Sequence, residues 1–362
     1  MSTSSEEDSL TATAPRLYRL QNLELASVFI HRMSTAQAPL GALSLAATLT
    51  SCHFREVLDD SEVKSLLQED EVRVSHMSHI TNCLRREGKK APDGSSAALS
   101  AAMRLRAGAA GCYGKTKSHW LDFAQDMLAD LRYSDVLQYS KYDEPWDEAW
   151  GVFMAETYPL STPQPDYGFG LRSQPPCSVN GPNGQSTPPA LSQESLWPLK
   201  LQLTTPPCPS PDLPEIIYPC LIVQVGSQVD PLFFTQNHAA GAAVKALSMI
   251  ESLEGCYRKT VKKEKEDEEE THRGPLPVLA ICTQGAMWEF SIAFRLHEKE
   301  SSPSNGKHPM PGVHLVRIWN GNVDEASGLY QAQFLLQRTL LWIKTVYRPR
   351  IEAMLNAIRQ TL

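Results

Sequence analysis

The residues best placed for chemistry in this 362-residue chain lie at the ends of two short apolar runs. Asp166 opens DYGFGL (Asp166 to Leu171), and Gln224-Val225-Gly226 closes YPCLIVQVG (Tyr218 to Gly226). The apolar part of the second run, Cys220 to Val225, is bounded by Pro219 and Gly226 and rich in β-branched side chains. It is too short for a helix and reads as a buried strand. An alanine-rich helix begins near Thr235, with Pro231 just ahead of it. A strand feeding a packed helix is where enzymes often place reactive groups. Here the polar residue at the strand end is Gln224, with no lysine beside it, and the helix offers Gln236, His238, Lys245 and Glu251. Each has a plainer reading. Asp166 is a turn or capping acid, Lys245 and Glu251 are surface charges, and His238 is a hydrogen-bonded helix-end residue. No Walker A loop, GxGxxG, HExxH, GxSxG or zinc-spaced Cys/His cluster is present, which sets aside those chemistries.

The elements around these groups change in texture along the chain. Residues 1–15 are Ser/Thr/Glu-rich and read as a disordered tail. Residues 16–158 read as a mainly helical N-terminal region. Its clearest helix has Trp120, Phe123, Ala124, Met127, Leu128 and Leu131 at helical spacing. Trp146, Trp150 and Phe153 share that period. They read as core, with stacking on a base or a sugar as the alternative. Residues 159–362 form the second unit, with two flexible insertions. The first, 173–214, is dense in Pro, Ser, Gln and Asn, with Trp197 and Leu199 as local anchors. The second, 258–274, has a basic half and an acidic half, and its start is a candidate nuclear import signal.

Beyond that insertion, Pro277 to Gly285 and Met287 to Leu296 read as consecutive strands around a tight turn at Gly285, followed by a strand from Val313 to Trp319. In the middle strand Trp288, Phe290, Ile292 and Phe294 alternate with Glu289, Ser291 and Ala293, which predicts one well-buried face. An amphipathic helix from about Ser327 closes the chain, with Pro349 kinking or interrupting it. This order predicts an α+β fold, a mixed sheet flanked by helices.

Composition narrows the classes. Apolar residues make up 42% and charged residues 21%, as in an ordinary soluble domain. The net charge of −7 leaves no global basic footprint, so nucleic-acid binding would need a local patch. The eight cysteines form no CxxC pair and read as buried thiols in a reducing compartment. The polar, acidic N-terminus lacks the apolar core of a signal peptide, and no apolar run has the roughly 18 residues a membrane span needs. The expectation is an intracellular protein, cytoplasmic or nuclear, with no membrane association.

Four segments in order, PDYGFGL, YPCLIVQVG, TQNHAAGAA and ICTQGAMWEF, resemble the PD-(D/E)XK nuclease-like domains of uncharacterised fungal proteins. In those relatives the segments run as a PD strand, a "YP-apolar-E-x-K" strand, an "ENQ-small-residue" helix and an "SICT-G" strand. The resemblance covers about residues 160–345 and implies a restriction-endonuclease-like sheet. It also implies metal-dependent phosphodiester cleavage. Two carboxylates hold Mg²⁺, the ion activates water, and a lysine two residues after the second acid stabilises developing charge. Carried over, Asp166 is the first acid and the metal ligand. Gln224 stands at the second acid and Gly226 at the lysine. Losing both groups implies an impaired catalyst, a pseudoenzyme with no cofactor, that keeps the fold as a scaffold for a protein or nucleic-acid partner. The alternative is an active Mg²⁺-dependent nuclease using Asp166 with groups migrated to the following helix, Lys245 first among them.

Overall fold

The computed structural model describes residues 18–32, 38–50, 95–141, 144–146, 162–175, 188–201, 206–261, 275–297 and 310–361, together with Leu160 and Leu203. Its strands are β1 (Val28–Ile30), β2 (Leu137–Lys141), β3 (Tyr167–Arg172), β4 (Ile216–Gln224), β5 (Val278–Gln284), β6 (Met287–Leu296) and β7 (Gly312–Asn322). Its helices are α1 (Leu40–Thr50), α2 (Ser95–Gly111), α3 (Lys117–Met127), α4 (Ala129–Arg132), α5 (Gln193–Lys200), α6 (Leu232–Val261), α7 (Ala326–Trp342) and α8 (Arg348–Thr361). Together they make a mixed α+β fold.

One seven-stranded sheet runs in the order β1-β7-β6-β5-β4-β3-β2. Strands β2, β3 and β4 form an antiparallel meander, and β4 and β5 are parallel because α6 carries the chain back between them. Strands β5, β6 and β7 are again antiparallel, and β1 joins β7 in parallel. The β5–β6 turn depends on Gly285, whose φ of +56° suits a residue without Cβ. Two of these strands, β1 and β2, lie in the region that reads as helical. That region therefore supplies both edges of the sheet, and its side chains share one hydrophobic core with the rest.

The period-2 pattern of β6 divides the layers. Trp288 points to one face, where its ring meets Phe123 of α3 edge-on at a centroid distance of 6.3 Å. That face also carries α7, with α1 and α2 packed on it. Glu289 and Arg295 point to the other face, where they meet Gln236 and Glu251 of α6. Both faces are therefore covered, and the expectation of one buried face gives way to a strand buried on both. Glu289, Ser291 and Arg295 are all buried.

Other differences have local causes. The first insertion contains α5, whose Leu196 and Leu199 are buried, while Trp197 is 66% exposed. Its N-cap is Ser192, whose side chain accepts from the Ser195 amide. Helix α6 runs to Val261, into the start of the second insertion. The remainder of that insertion, residues 1–15, Trp150 and Phe153 lie outside the described residues. At Pro349 the closing helix shifts its hydrogen bonding without a break in the helical backbone. The proline's missing amide cannot continue the ladder, and the preceding turn, Ile343–Tyr347, is π-helical, with the Arg348 amide bonded to the Ile343 carbonyl.

Candidate functional site

Asp166 and Gln224 come together at one end of the sheet because β3 and β4 pair in antiparallel register, with Tyr167 opposite Val223. The Asp166 amide donates to Gln224 Oε1 at 3.2 Å. Asp166 Oδ2 accepts from the Val225 amide at 2.7 Å, just where β4 ends. Asp166 Oδ1 lies 2.9 Å from the Nζ of Lys117, the first residue of α3. The carboxyl group is almost wholly enclosed, at 3% residue exposure. Burial is the largest influence on it and raises its pKa above the ordinary aspartate value, although Lys117 and the Val225 amide pull the other way.

Lys117 is the residue that sequence reasoning missed. It lies 49 positions before Asp166, outside the four matching segments, and no local pattern marks it. The turn before α3 brings it in, and the Gly114 amide fastens that turn by donating to Gln228 Oε1 at 2.9 Å. Tyr167 closes the other side of the same contact, its hydroxyl donating to the Leu121 carbonyl at 3.0 Å.

The helix groups separate. Lys245 is buried midway along α6, and Asp166 meets the ammonium of Lys117. Glu251 lies four turns beyond Gln236 and pairs with Arg295, near the opposite end of β6. Neither is the surface charge that the plainer reading expects. His238 stays near the site, tilted against Phe234 with ring centroids 4.9 Å apart. Its Nε2 is buried with no hydrogen-bond partner. Burial, with a smaller push from Lys117, lowers its pKa to about 4. Imidazole resonances of His238, followed by NMR from neutral pH to about pH 5, are therefore expected to show no protonation.

Gly226 explains why no lysine stands after the strand. A Cβ built there would lie 2.6 Å from the Thr283 carbonyl oxygen and 3.0 Å from Thr235 Cγ2. The backbone is equally committed, the Gly226 amide donating to Thr283 O and the Gly285 amide to Gly226 O. This is a close approach between the ends of β4 and β5, with no space for a side chain.

A divalent ion does not fit this donor set. Mg²⁺ needs about six oxygen ligands at close to octahedral geometry. Here each Asp166 oxygen already accepts from the protein, and Gln224 turns its carbonyl toward the Asp166 amide. Among the described residues no group of three or more His, Cys, Asp or Glu side chains could hold a metal.

A second polar cluster lies beside the first, on the α6 face. Glu289 Oε1 accepts from Gln236 Nε2 at 3.0 Å and lies 2.9 Å from His31 Nε2. Arg19 donates to Gln236 Oε1 at 2.9 Å and to Asn237 Oδ1 at 3.1 Å, and its guanidinium lies over the Phe233 ring. The cluster ties residues 19–31 to α6 and the sheet. Its signal in the sequence was a lone glutamate in an apolar strand.

No family model, curated protein or solved structure matches this chain. Among the described residues no helix is long and apolar enough to cross a membrane.

Proposed function

We propose that this chain is a nuclease-like protein that keeps a restriction-endonuclease-like scaffold for binding rather than for phosphodiester cleavage. The observation that carries the reading is the state of Asp166, whose carboxylate is taken up by the Lys117 ammonium and the Val225 amide. The strands β3 and β4, the helix α6 and the strand β5 follow in the order that the resemblance implies, which supports the scaffold part. The absence of space at Gly226 and the inward turn of Gln224 support the loss of catalysis.

The partner is a protein or a nucleic acid, and binding assays with each separate them. The primary test is cleavage. Purified protein with Mg²⁺ or Mn²⁺ is expected to leave single- and double-stranded DNA and RNA intact. Metal-dependent cleavage that Asp166→Ala abolishes would overturn the reading.

One observation favours a second reading, residual metal-dependent cleavage. An ammonium does stand beside Asp166, supplied by α3 rather than by the helix after Gly226. Its signature would be weak cleavage lost in both Asp166→Ala and Lys117→Ala.

A further inference from the structure

We infer that the Lys117 ammonium is the resident cation of Asp166, and that this pair latches the turn before α3 over the end of the sheet. The same Lys117–Asp166 contact underlies the proposed function, and the latch itself needs no functional assignment. Three contacts converge. Lys117 Nζ is 2.9 Å from Asp166 Oδ1, the Gly114 amide donates to Gln228 Oε1, and Tyr167 donates to the Leu121 carbonyl. They join residues 114–121, from the N-terminal half, to β3 and to the loop between β4 and α6. Each joins positions at least 46 apart, so together they fix the turn before α3 and the start of α3 against the site.

An enclosed carboxylate loses its hydration, and a single cation with one amide offsets that loss only in part. The pair as a whole therefore adds little net stability. Removing Lys117 leaves Asp166 as an uncompensated charge in an enclosed site, whereas Lys117 without Asp166 keeps much of its hydration. Lys117 has a side chain 41% exposed, so water screens the interaction and limits the effect.

A double-mutant cycle in the full chain tests this. Lys117→Met, which strands the enclosed carboxylate, is expected to lower the folding equilibrium constant by roughly tenfold, and Asp166→Asn, which removes that charge, by less. The double variant should fall well short of the product of the two. Effects that simply multiply would overturn the latch. Hydrogen exchange supplies the second readout. In Lys117→Met the amides of residues 112–119 should exchange faster while those of β4 and β5 do not. Unchanged exchange there would also overturn it. Mn²⁺ titration followed by electron paramagnetic resonance should show no ion bound at Asp166 in the wild type. Binding that Asp166→Asn abolishes would mean that a metal, not Lys117, is the resident cation. Cleavage of nucleic acid with an intact cycle would sink the proposed function and leave the latch standing.

Discussion

The double substitution Gln224→Glu, Gly226→Lys, which writes the acid-x-lysine pattern back into the strand end, is expected to destabilise the chain without making it a nuclease. Two costs combine. A side chain at position 226 drives Cβ to 2.6 Å from a backbone carbonyl, and the neighbouring strand end cannot retreat without breaking the Gly226–Thr283 and Gly285–Gly226 hydrogen bonds. Overpacking of this kind costs about 1–3 kcal/mol, and more where backbone must move. A carboxylate at position 224 adds a second buried negative charge beside Asp166, whose Oδ1 already takes the Lys117 ammonium. An imperfectly paired buried charge costs several kcal/mol more. The expected loss is on the order of 4 kcal/mol, measured by urea unfolding against the wild type. The single Gln224→Glu variant should lose less than the pair. A folded double variant that cleaves DNA with Mg²⁺ would mean that two side chains are all this site lacks.

That contrast shows where the sequence was legible. The strands β3 to β7 follow from apolar runs bounded by Gly and Pro, and α6 from its alanine-rich face, because local pattern fixes elements that are long or strongly periodic. The edge strands were not legible. Strand β1 has three residues and β2 five, and each exists because a partner distant in sequence completes its ladder. The site was half legible for the same reason. Asp166 and Gln224 sit at ends of recognisable strands, whereas Lys117 acquires its role only through a contact between distant segments. Glu289 misled in the opposite direction. Alternation on β6 assigned it to the less buried face, whereas α6 covers that face and supplies the Gln236 hydrogen bond.

Removing the Glu289 carboxylate is the other change expected to have a large effect. The group is buried, at 2% residue exposure, and it organises donors from several elements. Arg19 has only donors to offer, so the oxygen of the Gln236 amide must face it and the NH₂ must face Glu289. His31 Nε2, 2.9 Å from the same carboxylate oxygen, then also donates. Gln236 Nε2 and His31 Nε2, 3.0 Å apart, are two donors converging on Oε1 rather than partners of each other. Arg317, half exposed and 3.5 Å from Oε2, adds little. Glu289→Ala strands both inner donors in a closed site, and the expected loss is about 3 kcal/mol. Glu289→Gln keeps the shape and part of the hydrogen bonding, and should lose about half of that.

The pH dependence checks the assignment independently. Burial alone would raise the Glu289 pKa, but His31 and Gln236, with a smaller pull from Arg317, outweigh it and hold the group below the ordinary glutamate value. A lowered carboxyl contributes stability that is present above the unfolded pKa, about 4.3, and is lost as pH falls through the lower folded value. Asp166 has the opposite sign. Its raised pKa gives a contribution fully present below the unfolded value, about 3.9, and lost as pH rises through the folded one. Urea midpoints measured from pH 6 down to pH 3 should therefore fall less steeply in Glu289→Gln than in the wild type, and more steeply in Asp166→Asn. Parallel curves for all three would mean that neither carboxyl is held as its contacts require.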